Sequence, residues 1–178
     1  MTAHHTMLNI IATGDHKLMR KINKWRAPKW IQLLAIGATR AGDGWLWCLV
    51  GLLILIFGGE SRLAAVAAAG SAAVVGIGIF ILVKKISGRK RPCEIEPNCW
   101  ARLLPPDRFS FPSGHTITAF GVAIALGSFY PVLLPGLLFC AACIAVSRIL
   151  LGMHFLSDVL AGAMLGVGLA LGSRAIFA

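Results

Sequence analysis

Three short stretches of this 178-residue chain carry residue types suited to holding and transferring an oxyanion. The first is Lys84-Lys85-Ile86-Ser87-Gly88-Arg89-Lys90-Arg91-Pro92. The second is Phe111-Pro112-Ser113-Gly114-His115. The third is Ser147-Arg148, followed by His154 and Asp158. Lys84, Arg91 and Arg148 supply positive charge, and the arginines add forked donors that match phosphate oxygens. Ser113 and Gly114 open a predicted helix, where backbone N–H groups favour anions, and the missing side chain of Gly114 lets an oxygen approach the chain. His154 and Asp158 are spaced i, i+4 and share a helix face, so Asp158 can hold one ring nitrogen of His154 while the other attacks. His115 is a second histidine, able to protonate a leaving oxygen. Arg148 and His154 are separated by about 240° of net helical rotation. They can face one site only if the helix breaks between them, and Gly152 is the expected break.

These residues must be positioned by very apolar elements. The chain is 57% hydrophobic and 13% charged, with a mean hydropathy of +0.79. That composition excludes a disordered, collagenous, coiled-coil or disulfide-dense chain. An uncharged run from Leu63 to Val83 is long enough to cross a hydrocarbon core of about 30 Å. A second, from Thr116 to Ser147, is too long for one span and is interrupted by Tyr130-Pro131 and Pro135, so it reads as two helices. Trp45–Phe57 and Val159–Gly172 are two further apolar segments. The predicted fold is an all-α integral membrane bundle of about five transmembrane helices. Small residues such as those of Ala64–Gly70 and the pair Gly162, Gly166 let such helices approach closely.

The N-terminal region differs. Between residues 8 and 31, aliphatics and Trp25 alternate with Lys17, Arg20, Lys21, Lys24 and Arg26, the pattern of an amphipathic helix lying in the membrane interface. Residues 30–41 predict a second short helix packed near the headgroups. The whole chain reads as one domain, with an interfacial segment over 1–42 and a transmembrane core over 43–178. The N-terminal region lacks the short apolar run and cleavage site of a secretory signal.

Following the predicted helices from side to side brings all three polar stretches to one face. Ionisable residues at membrane depth are costly, so their convergence marks a functional site. The charge is lopsided as well: 17 Lys and Arg against 7 Asp and Glu, a net +10. All the basic residues but Arg62 and Arg174 fall on that same face. An anionic lipid surface fits this distribution. Nucleic acid does not, because no soluble fold accompanies the charges.

With these residues in hand, the sequence resembles the type 2 phosphatidic acid phosphatase superfamily, whose members include vanadium haloperoxidases and bacterial acid phosphatases. The family signature Lys-x6-Arg-Pro, Pro-Ser-Gly-His, Ser-Arg-x5-His-x3-Asp reads here as Lys84 to Arg91-Pro92, Pro112-Ser113-Gly114-His115, and Ser147-Arg148 to His154 to Asp158. The resemblance implies phosphoryl transfer in two steps without a metal or other cofactor. It implies that His154 is the nucleophile and forms a phospho-histidine, that Asp158 orients it, and that His115 is the general acid. It further implies that Lys84, Arg91, Ser113, Gly114 and Arg148 hold the phosphate. A site at helix ends suits a lipid whose tail stays in the bilayer, and the family includes phosphatases of phosphatidic acid, phosphatidylglycerol-phosphate, undecaprenyl diphosphate and lipid A. Undecaprenyl diphosphate is the expectation among these, because that activity is widespread in short bacterial members. A lipid-linked phosphotransferase would carry the same motifs, and a non-catalytic lipid-binding protein is the alternative of another class.

Two signals oppose each other on orientation. The basic excess would put the site in the cytoplasm. Cys93 and Cys99 flank a short stretch of the polar loop and would pair in an oxidising compartment, and lipid phosphatases of the family often act outside the inner membrane. The expectation is an inner-membrane protein whose site faces the periplasm or cell exterior, with the cytoplasmic face as the alternative. Cys48, Cys140 and Cys143 lie in apolar helices and read as packing residues.

Overall fold

A computed structural model describes residues 2–95 and 108–178. The described residues form eight helices: α1 (Thr2–Lys24), α2 (Lys29–Ala41), α3 (Trp45–Phe57), α4 (Arg62–Ser87), the single turn α5 (Pro92–Ile95), α6 (Gly114–Phe129), α7 (Leu134–Leu150) and α8 (Leu156–Phe177). The five expected apolar segments are α3, α4, α6, α7 and α8. Three of them, α4, α7 and α8, are long and apolar enough to cross a membrane alone. Their outward faces remain apolar, as Leu82, Phe139 and Met164 show, as lipid contact requires. The chain is a multi-pass membrane protein.

Two elements differ from expectation. The helix read over 8–31 ends at Lys24, ahead of Pro28, and α2 starts at Lys29. α2 is also more than a headgroup-level helix. It buries Ala35 and Thr39 and packs along α7, and with α3 it makes a helix pair, bent by 56°, that is together long and apolar enough to cross a membrane. The bend falls at Gly42-Asp43-Gly44, where Gly44 takes φ +117°, a conformation open mainly to glycine. The spacing of charges missed this, because α2 carries Lys29 and Arg40 at its two ends and only its middle is apolar.

α6 is the centre of the bundle, packed between α4, α7 and α8. Its buried residues include Ala119, Gly121, Ala123, Ala125 and Gly127, so neighbouring backbones come close. A Cβ on Gly166 of α8 would stand 2.5 Å from the carbonyl oxygen of Ile117, and one on Gly162 would stand 2.8 Å from that of Ser113. The Gly162/Gly166 pair is thus the groove that seats α8 on α6. At the end of the bundle away from the polar stretches, Pro131 opens a short 3-10 turn before α7, and the Tyr130 hydroxyl donates to the Gly58 carbonyl at 2.8 Å, tying the α3–α4 turn to the α6–α7 turn. With α6 only 16 residues long, its Gly114 end lies about 24 Å from its other end.

Candidate active site

The third stretch is built by a helix break. α7 ends at Leu150, Gly152 turns the chain at φ +68°, and α8 begins at Leu156. The Arg148 carbonyl accepts from the N–H groups of both Met153 (3.0 Å) and His154 (3.2 Å), folding the loop back on α7. The Asp158 carboxylate accepts the Phe155 N–H at 2.8 Å, satisfying a donor at the start of α8. Arg148 and His154 now face one cavity, as the break at Gly152 was expected to allow.

The first and second stretches are pinned to this loop by backbone pairing. Lys90 and Phe109 form an antiparallel bridge, and Ser110 N–H donates to the Arg89 carbonyl at 2.7 Å. Cys93 N–H donates to the Gly152 carbonyl (3.1 Å) and Ser113 N–H to the Asp158 carbonyl (3.1 Å). The Arg91 guanidinium, 2% exposed, donates to the Met153 carbonyl at 3.0 Å. Lys84, in the last turn of α4, is buried with its ammonium 5.2 Å from the centre of the Phe80 ring.

Six of the eight expected residues, Lys84, Arg91, Gly114, His115, Arg148 and His154, line one cavity of about 300 Å³. The other two stand behind its wall. Ser113 is fully buried, and its hydroxyl accepts from Thr116 at 2.9 Å instead of facing the cavity. Asp158 is also fully buried.

The expected Asp158–His154 hydrogen bond differs too. Asp158 Oδ2 is 3.8 Å from His154 Nδ1, a charge contact but too long for a hydrogen bond. The partner of Nδ1 is the Ser110 carbonyl oxygen at 2.6 Å. A carbonyl only accepts, so Nδ1 carries the proton and Nε2 of the neutral ring holds the lone pair. Asp158 is drawn instead to Arg89, whose Nη1 donates to Oδ1 at 2.6 Å. The i, i+4 spacing put the two side chains on one face, but Phe155 N–H and Arg89 outcompete the imidazole for the carboxylate. Burial, first, and then the positive charges of Arg148 and Arg91 lower the His154 imidazole from 6.5 to about 4, against the pull of Asp158. His154 is therefore a neutral imidazole at ordinary pH.

Several contributing residues were not legible in the motifs. Arg89 links Asp158 to Asp15 of α1: its Nη2 donates to Asp15 Oδ2 at 2.7 Å, its Nη1 donates to Ser157 Oγ at 2.7 Å, and its carbon centre lies 4.3 Å from the Phe155 ring. Asp15, 6% exposed, also accepts from the Ser157 N–H at 3.1 Å. A lone acid in a stretch of lysines and arginines was the available signal. Thr39 of α2 accepts from Arg148 Nη1 at 2.5 Å, and Asp43 lies 2.8 Å from His115 Nε2. The loop cysteine pair could not be followed, because Cys99 lies outside the described residues.

Comparison with known proteins matches this arrangement to a family. The family model for the PAP2 superfamily matches residues 61–178. Decaprenylphosphoryl-5-phosphoribose phosphatase of Mycobacterium tuberculosis is 37% identical over 98 residues, which cover 55% of this chain and 53% of that protein. The chain thus spans about half the length of this relative. Lipid A 1-phosphatase of Rhizobium johnstonii is 27% identical over 173 residues, 86% of this chain and 70% of that protein. Among solved structures, the transmembrane PAP2-type phosphatidylglycerolphosphate phosphatase of Bacillus subtilis superposes with a TM-score of 0.71 at 23% identity, covering 94% of this chain and 86% of its own, which bears on the fold. Aquifex aeolicus LpxE gives 0.68 at 26% identity, covering 89% and 93%.

Proposed function

The chain belongs to the PAP2 superfamily, and from that premise we propose that it is a membrane lipid phosphatase working through a phospho-histidine on His154. The observation that carries this reading is the state of His154: a buried, neutral imidazole with its proton fixed on Nδ1 by Ser110, in a cavity with three cations and a second histidine.

The chemistry follows from the placement. Lys84, Arg91 and Arg148 neutralise the phosphate oxygens, and Gly114 at the start of α6 offers a backbone with no side chain in the way. Nε2 of His154 attacks phosphorus, and an N–P bond forms as the P–O bond to the lipid breaks. His115 gives a proton to the leaving oxygen. Water then attacks the phospho-enzyme, His115 takes its proton, and the N–P bond breaks to release phosphate. Phosphoryl transfer of this kind needs positioning and charge stabilisation above all.

A lipid substrate is supported by the surroundings. An apolar cleft of about 490 Å³ between α3, α4 and α6 shares Gly44 and Thr118 with the charged cavity. A hydrocarbon chain can lie there while its phosphate reaches the cations. The relatives' names include a polyprenyl-linked sugar phosphate and lipid A, so polyprenyl phosphates and diphosphates head the substrates to be tested, undecaprenyl diphosphate included. The site faces the periplasm or cell exterior in this reading, and α1 lies in the membrane interface. Labelling of Cys93 and Cys99 with an impermeant thiol reagent on intact cells, with and without prior reduction, checks the orientation.

The deciding experiment is phosphate release by the purified protein from polyprenyl diphosphate, phosphatidic acid, phosphatidylglycerol-phosphate and lipid A, with EDTA present. Release from at least one lipid, lost in His154→Ala, is expected. Full activity in His154→Ala overturns the nucleophile, and no release from any lipid overturns the lipid phosphatase.

A further inference from the structure

We propose that Asp43 is a positioning residue for the reaction: it holds the His115 ring and stabilises its protonated form for donation to the leaving oxygen. This rests on the reading of His115 as the general acid. Asp43 Oδ1 lies 2.8 Å from His115 Nε2 across the α2–α3 bend. An imidazolium has two N–H groups, so when Asp43 accepts from Nε2, Nδ1 is the donor left for substrate.

The electrostatics require such a partner. Lys84, Arg91 and Arg148 line the same cavity, and their charges oppose a proton on His115. Among the described residues lining that cavity, Asp43 is the sole carboxylate. A neutral His115 can accept a proton from water but has none at Nδ1 to donate while Nε2–H faces Asp43. The carboxylate shifts that balance toward the acid form the first step needs.

The bend is shaped for this contact. A Cβ at Gly42 would stand 2.7 Å from Ile144 Cγ2 and 3.1 Å from His115 Cδ2, so the turn presses directly on the ring. The Asp43 N–H donates to the Arg40 carbonyl at 3.1 Å, which holds the turn in place. Arg40 Nη1 lies 3.6 Å from the other carboxylate oxygen, but 65% exposed it competes weakly. Through the cycle Asp43 keeps its charge. The proton leaves His115 Nδ1 as the lipid–oxygen bond to phosphorus breaks, and returns from the attacking water in the second step.

The test uses leaving groups. Asp43→Asn, Asp43→Glu and His115→Ala are assayed in detergent on dioctanoyl phosphatidic acid, whose alkoxide must be protonated, and on 4-nitrophenyl phosphate, whose leaving group needs no proton. A general acid contributes roughly 100-fold or more, so Asp43→Asn is expected to lower kcat/KM on the lipid, which reports the phospho-enzyme-forming step without the shared hydrolysis step, by about 10- to 100-fold. It should leave kcat/KM on the aryl ester within about twofold, with Asp43→Glu recovering part of the loss. Retained aryl activity also shows that the variant folds. Equal losses of kcat/KM on both substrates overturn the role of Asp43. If His115→Ala itself shows no leaving-group dependence, the general-acid reading has failed. If His115→Ala shows it and Asp43→Asn does not, only the Asp43 inference has failed.

Discussion

His154 Nδ1 donates to the carbonyl oxygen of Ser110 at 2.6 Å, while Asp158, the acid one turn further along, stays 3.8 Å away. A backbone carbonyl just ahead of the second stretch, and not a side chain of the third, thereby fixes which ring nitrogen holds the lone pair. Substitution of Ser110 cannot remove a carbonyl, so the tautomer is insensitive to side-chain change there. Asp158 stands behind the cavity, bonded to Arg89 and the Phe155 N–H.

A phospho-enzyme should be trappable at His154. Brief mixing with ³²P-labelled lipid and denaturation in alkali is expected to leave label on the wild type and none on His154→Ala or His154→Gln. Because Nε2 is the lone-pair nitrogen, chemical analysis should find 3-phosphohistidine, the isomer bonded through Nε2. Label that survives in His154→Gln would move the nucleophile elsewhere.

The pH profile should have an unusually low acid limb. Burial and the nearby Arg148 and Arg91 lower His154 to about 4, so the neutral, attacking form persists well below 6.5. The rate constant kcat/KM is expected to fall only as pH drops through that region. An acid limb near 6.5 that the substrate's own ionisation does not explain would mean that His154 of the free enzyme is neither buried nor beside its cations. The stability effect carries a matching sign. A histidine kept neutral in the fold binds protons more readily when unfolded, so its contribution shrinks as pH falls below 6.5 and levels off near 4.

Arg89 holds two carboxylates that are almost fully buried, Asp15 at 4% and Asp158 at 0% side-chain exposure. Removing the cation as Arg89→Met leaves both without their shared partner. It should destabilise the protein by about 3 kcal/mol and lower activity on every substrate alike. Asp15→Asn should cost less, and the double variant should lose less than the two single losses combined, because the residues share one network. Thermal unfolding in detergent measures this, and strict additivity would show that the α1 contact is independent of Asp158.

Gly166→Ala is expected to destabilise by roughly 1–3 kcal/mol, because the new Cβ meets backbone atoms of Ile117 and Gly121 at 2.5 and 2.9 Å that cannot move aside alone. Gly136→Ala, where nothing lies within 4 Å, is the control and should be neutral or slightly stabilising. Similar unfolding midpoints for the two variants would show that α8 is not seated by this groove.

The helical segments were legible because membrane spans carry a strong local signal. Runs such as Leu63–Val83 must be apolar on all sides, and charges on either side mark their ends. Connectivity then forces Lys84, His115, Arg148 and His154 to the same end of the bundle. The break at Gly152 was readable because two residues needing one cavity could not share an unbroken helix. The bend between α2 and α3 was not, since a bent pair of helices leaves no single long apolar run.

The motifs alone bring Lys84, Arg91, His115, Arg148 and His154 to one end of the membrane bundle, since burial in lipid constrains residue type position by position. What each of them touches depends on the packing of the folded bundle. Asp43 reaches His115 across 72 positions, and Asp15 reaches Ser157 across 142. Hydrogen bonds are short-range and directional, so their partners depend on how α1 and α2 pack on the bundle. No local spacing encodes that packing. For the same reason, the i, i+4 pair of His154 and Asp158 shares a helix face without sharing a hydrogen bond.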